Sequence, residues 1–163
     1  MAVSNNVTRM LESKKINFDV FELPVEKLGA LESARLLAVA PEIVFKTIVI
    51  VREKKKPLLC VIPGPTEVDL KAVAAVCGEK KVHVPTQKEA EDLTGLQAGG
   101  ISPLALINKG FTVYLDESAQ NFSAIHISGG QRGLNIKLPV VDLIKLTNAR
   151  VARISQPAKE NIE

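Results

Sequence analysis

The chain has 163 residues and a formal net charge of +3, with 46% apolar, 24% charged and only 4% aromatic residues. That length suits one domain with a real core, filled mainly by Val, Ile, Leu and Ala, and the mild positive charge neither identifies nor excludes a nucleic-acid partner. No apolar run approaches the roughly 20 residues that span a bilayer, and the N-terminus Met-Ala-Val-Ser-Asn-Asn lacks a charged segment followed by an apolar one, so the chain reads as cytoplasmic.

A first helix is expected over about residues 4–14, capped by Ser4 or Asn5, with Val7, Met10 and Leu11 on one face. Residues 16–22 begin with an apolar and polar alternation that reads as a strand, and a second helix is expected over 31–39, stopped near Pro41. Two runs rich in β-branched residues, 43–51 and 58–62, flank Arg-Glu-Lys-Lys-Lys and read as a hairpin. Pro63-Gly64-Pro65 ends the second strand. Thr66 is then expected to cap a helix running through Cys77, with Gly78 just beyond it.

A short strand follows at 82–84. Thr86 and Glu89 have capping-box spacing, so a helix should run to about Leu93 and stop at Gly95. Residues 96–103 read as loop, strands follow near 111–116, 123–128 and 134–138, and a short helix over 140–146 comes after Pro139. The last seven or so residues read as a frayed tail. Helices mixed with hairpins and short strands imply a single α+β or mixed α/β domain around one twisted sheet.

Cys60 and Cys77, the only cysteines, sit in apolar segments with no second ligand nearby and read as small buried hydrophobes. His83 and His126 have no metal-ligand spacing and read as structural or surface residues. The basic runs at 54–56 and 80–81 read as solvated faces, and Asp116-Glu117 as the end of a strand.

Three segments could carry chemistry. Alternation puts Lys46 on one face of its strand with Val44, Ile48 and Ile50, and Thr47 on the other with Phe45, Val49 and Val51. A desolvated ammonium is costly, so Lys46 either snorkels to solvent or serves a site, and the pattern does not choose. In Gly99-Gly100-Ile101-Ser102-Pro103 the glycines permit unusual φ and free amides that could cradle an anion or a carbonyl oxygen; the alternative is an ordinary turn. Ser102 lacks a nucleophile elbow and a nearby base. Ser128-Gly129-Gly130-Gln131-Arg132-Gly133 is either a hairpin loop or a loop presenting a hydroxyl, amides and a guanidinium to a polyanion.

Taken in order, Phe45-Lys46-Thr47, Gly99 to Leu104, Asp116-Glu117-Ser118-Ala119 and Ser128 to Leu134 resemble the YbaK family of aminoacyl-tRNA deacylases, free-standing relatives of the editing domain of bacterial prolyl-tRNA synthetases. The resemblance spans about residues 7–150. It implies a compact α/β domain with a mixed, barrel-like sheet over residues 1–155, ahead of a tail at 156–163. It also implies hydrolysis of the ester linking a wrong amino acid to the 3′ end of tRNA, typically on Cys-tRNA(Pro) or Cys-tRNA(Cys), with Ala-tRNA(Pro) the substrate of a sister branch.

No metal or organic cofactor and no membrane is implied. A prolyl- or cysteinyl-tRNA synthetase is a candidate partner. The family's required lysine maps onto Lys46, its Gly-x-x-x-Pro loop onto Gly99 to Pro103 and its Ser-Gly-Gly loop onto Ser128 to Gly130. On this basis Lys46, Gly99 and Gly100 are assigned to catalysis. Thr47, Ile101, Ser102, Pro103, Ser128, Gly129, Gly130, Arg132 and Asn135 are assigned to substrate binding.

The expected chemistry has the amides of Gly99, Gly100 and Ile101 hold the aminoacyl carbonyl while Lys46 supplies positive charge and Arg132 steadies the acceptor end. In cysteine-specific relatives the substrate's own thiolate is the implied nucleophile. Two departures stand out. The tyrosine often found shortly after the first strand is missing from Phe21-Glu22-Leu23-Pro24, and Asn135 occupies a position that is often acidic. These losses also leave open a non-catalytic module that binds the tRNA acceptor end.

Overall fold

A computed structural model describes residues 4–159 of the chain. Helix α1 (Asn6–Ser13) starts at Asn5, whose side chain accepts from the Thr8 amide while the Thr8 hydroxyl accepts from the Asn5 amide. Val7 and Leu11 are buried and Met10 packs beside them, as the spacing predicts. Strand β1 (Asp19–Glu22) is shorter than the alternation predicts, and α2 (Ala30–Leu37) ends at Ala38 in the left-handed region. Strands β2 (Phe45–Arg52) and β3 (Leu58–Pro63) form the expected antiparallel hairpin, with Lys46 opposite Ile62.

The helix expected from Thr66 begins later. Thr66–Val68 is a strand, β4, and α3 (Leu70–Cys77) is capped by Asp69, whose carboxylate accepts from the Ala72 amide at 3.0 Å. The Thr66 hydroxyl donates back to the Pro63 carbonyl instead of capping. β4 pairs antiparallel with β10 (Ser155–Pro157), so the start of the expected tail is a strand, and residues 160–163 lie outside the described residues. This pairing joins segments almost ninety residues apart, which local sequence pattern cannot reveal.

β5 (Val82–His83) precedes α4 (Gln87–Thr94), which has the expected Thr86–Glu89 capping box and ends at left-handed Gly95. The chain continues through β6 (Thr112–Asp116), β7 (Ala124–Ser128), β8 (Leu134–Pro139), α5 (Val140–Thr147) and β9 (Arg150–Ala152), with 3-10 turns at Pro103–Lys109 and Glu117–Asn121.

Three sheets form where one was expected: β5-β2-β3-β6-β9, β1-β8-β7, and the pair β10-β4. The five-stranded sheet is mixed, with β3-β6 and β6-β9 parallel. A single bridge between Val44 and His126 links it to the three-stranded sheet, so the two curl around one core in a barrel-like way without closing.

That core combines Phe45, Val49, Leu59, Val61 and Leu115 with Ile125, Ile127, Ile136 and Leu138. Ile50, Leu58, Cys60, Ile62 and Tyr114 face the other way and pack on Val73 and Ala74 of α3. Each such fully buried aliphatic side chain contributes roughly 1.5–3 kcal/mol. β3 is buried along its whole length, which makes the β2-β3 hairpin a rigid mount for Lys46.

Candidate active site

Lys46 lies near the start of β2, on the face that carries Ile48 and Ile50 into the second cluster. It is half-buried, and its Nζ donates to the Gly64 carbonyl at 3.0 Å. Burial holds its pKa below the ordinary lysine value, partly opposed by the Glu67 carboxylate. The ammonium therefore does not snorkel freely. One proton is used on Gly64, and the group stands on the wall of a pocket of about 230 Å³ that Thr47 also lines.

Of the Gly-Gly-Ile-Ser-Pro segment only Gly99 and Ile101 line this pocket, beside Ala98. Gly99 has φ +89°, a conformation that glycine adopts without strain. Gly100 is turned away. Its amide donates to the Gln97 carbonyl at 2.8 Å, so it is not free for a substrate carbonyl. A Cβ on Gly100 would stand 2.8 Å from the Gln131 Cα and 2.9 Å from its carbonyl carbon. Gly100 is therefore the contact that lets the two glycine loops touch. The Gly99 and Ile101 amides meet no acceptor among the described residues.

Ser102 is 0% exposed, and its Oγ accepts from the Leu104 amide at the start of the 3-10 turn; Pro103 is buried as well. Neither reaches the pocket, because apolar packing draws this end of the loop into the core.

In the second loop Ser128 reaches the pocket while Gly129 and Gly130 do not. The Gly129 amide donates to the Leu134 carbonyl, and the Gly129 carbonyl accepts from the Asn5 side chain at 2.9 Å. Gly130 packs near Val7 and Ala105. Arg132 does not line the pocket either: its Nε donates to the Ala98 carbonyl at 2.7 Å and so ties the two loops together. The structure divides the two loops into pocket wall (Gly99, Ile101, Ser128, Gly133) and buttress (Gly100, Ser102, Pro103, Gly129, Gly130, Arg132).

Asn135 is brought to the pocket by strand register. In the three-stranded sheet Phe21, Asn135 and Ser128 stand opposite one another, with Asp19, Lys137 and His126 two residues along on the same face. The alternate residues Ile125, Ile127, Ile136 and Leu138 point into the core. Asn135 is 5% exposed and His126 2%, and His126 Nδ1 lies 2.9 Å from Asn135 Oδ1. The Phe21 ring sits 5.3 Å from the imidazole, centre to centre. Burial lowers the His126 pKa, with the Asn135 hydrogen bond acting in the opposite direction.

Two residues escaped sequence reasoning. Glu26, in the loop between β1 and α2, is the sole carboxylate among the described residues that line the pocket. No motif marks it. His126 carried a detectable signal, a histidine in an apolar strand two residues before the Ser-Gly-Gly loop, but its partner depends on register.

Asp116 proves to be more than a strand end. It is buried and accepts from the Ile154 and Ser155 amides at 3.0 Å and from the Ser118 amide and hydroxyl.

The residues that line the pocket include Lys46, the hydroxyl residues Ser33, Thr47 and Ser128, Asn135, one acid, and Gly99 and Ile101, whose amides meet no acceptor among the described residues. No serine or cysteine hydrogen-bonded to a histidine lines it among the described residues. Cys60 does not line it, and burial pushes its thiol pKa up to about 12. Among the described residues, no three His, Cys, Asp or Glu side chains could hold a metal ion, and no helix is long and apolar enough to cross a membrane.

A family model for the aminoacyl-tRNA editing domain matches residues 26–146. EbsC of Enterococcus faecalis, which bears the name of a Cys-tRNA(Pro)/Cys-tRNA(Cys) deacylase, is 39% identical over 152 residues, covering 92% of each chain. A crystal structure described as a trans-editing enzyme for prolyl tRNA synthetase matches at TM-score 0.80 and 26% identity, over 95% of this chain and 99% of that one. The hypothetical protein APE2540 shares the fold at TM-score 0.84 and 21% identity, over 93% of this chain and 100% of the other.

Proposed function

The chain belongs to the aminoacyl-tRNA editing domain family, and from that premise we propose that it is a deacylase that hydrolyses the ester of mischarged tRNA in trans, with Cys-tRNA(Pro) or Cys-tRNA(Cys) as substrate. The single observation that carries the reading beyond family membership is the half-buried Lys46 ammonium, held by Gly64 on the wall of a pocket where the amides of Gly99 and Ile101 are unused. Such a site supplies fixed positive charge and donors where an ester carbonyl gains negative charge. The 39% identity to EbsC over nearly the whole chain supports the cysteinyl substrate.

In this reading the Gly99 and Ile101 amides take the carbonyl oxygen and Lys46 stabilises the oxyanion. Gly100 acts by holding the loop. Glu26 takes the α-ammonium of the aminoacyl group, a role for which the pocket wall has no other carboxylate among the described residues. With no protein nucleophile paired to a base among the described residues that line the pocket, the cysteinyl thiolate attacks its own carbonyl carbon and expels the ribose 3′-oxygen. Water then opens the resulting thiolactone to cysteine.

The editing domain is assigned the residues through the end of β10 at Pro157, two beyond the boundary expected from the sequence, working in the cytoplasm, with a prolyl- or cysteinyl-tRNA synthetase as the partner that delivers mischarged tRNA. Incubating the protein with Cys-, Ala-, Ser- and Pro-tRNA tests the assignment. Hydrolysis of Cys-tRNA alone is expected. Turnover of Ala-tRNA(Pro) instead would move the protein to the alanine-clearing branch, and saturable tRNA binding without turnover would make it a binding module.

A further inference from the structure

His126 is buried beside the pocket without lining it, and none of the roles above uses it. Its Nδ1 lies 2.9 Å from the Oδ1 of Asn135, the residue that occupies an often acidic position. A carboxamide oxygen carries no proton, so this contact needs the proton on Nδ1. Asn135 Oδ1 is then occupied and its NH2 is directed elsewhere. That Nδ2 has no acceptor among the described residues, yet it is not sealed in the interior, and Asn135 lines the pocket.

The imidazole is itself fixed. Phe21 packs against it at 5.3 Å, and the backbone bridge to Val44 anchors its strand to the sheet that carries Lys46.

Building on the deacylase reading, we propose that His126 is a positioning residue that locks Asn135 with its amide NH2 turned into the pocket, making this wall a donor to the ester or ribose oxygens of an aminoacyl-ribose substrate. The reverse amide orientation would present Oδ1, an acceptor suited to an ammonium. The two arrangements predict opposite chemistry from the same residue. Locked as the structure has it, Asn135 joins Lys46 on the oxygen-rich side of the substrate and leaves the ammonium to Glu26.

The test has two arms. Imidazole 15N NMR of the wild-type protein should show the Nδ1–H tautomer of His126 at neutral pH, giving way to Nε2–H or a mixture in Asn135→Ala. An unprotonated Nδ1 in the wild type, with the proton on Nε2, would overturn the lock whether or not the protein turns over any tRNA. In single-turnover deacylation of Cys-tRNA(Pro), His126→Leu and Asn135→Ala should each lower the rate roughly five- to tenfold, the value of one hydrogen bond.

The double variant should be no slower than Asn135→Ala alone, and His126→Gln, which can still donate, should recover most of the rate. Losses that multiply in the double variant, or no loss in His126→Leu, would overturn the proposal. If the wild type is inert toward every aminoacyl-tRNA while the tautomer is as expected, the deacylase reading fails and the lock stands.

Discussion

Replacing Lys46 by methionine keeps the apolar stem in its place on β2 and removes only the charge. In the fold, the ammonium makes one hydrogen bond, to the Gly64 carbonyl at 3.0 Å, at a half-buried position that water can reach. Losing such a bond costs about 1 kcal/mol of stability or less. In the proposed reaction the same group is one of a few donors to the developing oxyanion, and removal of a donor of that kind costs about 10² to 10³ in rate, or roughly 2.7–4 kcal/mol. Stability and activity should therefore separate.

The assay is single-turnover hydrolysis of Cys-tRNA(Pro), corrected for spontaneous ester loss, beside thermal unfolding of the same preparations. pH supplies a second axis. Because burial depresses the Lys46 pKa below the ordinary lysine value of 10.5, activity should fall as pH rises through that lowered value. The linked stability runs the other way. Between the folded pKa and 10.5 the unfolded chain binds more protons, so stability should rise with pH in that window. A Lys46→Met rate within threefold of wild type, or a loss fully matched by unfolding, would refute the assignment of Lys46 to charge stabilisation.

Glu26→Gln should raise KM about tenfold with little change in kcat, as expected for a contact held equally in ground and transition states; N-acetylated Cys-tRNA should show the same penalty with the wild type, and indifference to both changes would remove Glu26 from the site. Gly100→Ala, whose Cβ would press on the Gln131 backbone at 2.8 Å, should destabilise by about 1–3 kcal/mol and slow deacylation by forcing the loops apart; unchanged melting and unchanged rate would show that the loops yield freely. Asp116→Ala strands the buried Ile154 amide and frees the strand behind it, so denaturant unfolding should show a loss of about 2–4 kcal/mol. A loss below about 0.5 kcal/mol would refute that bracing role.

Local signals carried most of the fold into the sequence. The capping box at Thr86, the glycine stops at Gly78 and Gly95, and the β2-β3 hairpin depend on contacts between near neighbours, and the structure has all of them. The expectation failed at Thr66 because a three-residue strand is too short to declare itself, and its partner lies at the far end of the chain. One sheet became three for a similar reason. Alternation tells which face of a strand is apolar but not which strand lies beside it, and the curl around the shared core leaves only Val44 and His126 bridging the two larger sheets.

The site divides along the same line. Lys46 is ambiguous as a lone charge in an apolar strand, and the hydrogen bond that holds its ammonium runs to Gly64, eighteen residues away, which the strand pattern does not contain. Gly99 and Gly100 are identical in sequence terms, yet one lines the pocket and the other spends its amide on Gln97 and its missing side chain on the Gln131 backbone. A motif therefore marks where two loops must meet without saying which residue faces the substrate. Asn135 makes the point most sharply. As a departure from an acidic position it looks like a lost acceptor, but with Oδ1 taken by His126 it becomes a donor. What the substitution does to the pocket is set by the residue behind it.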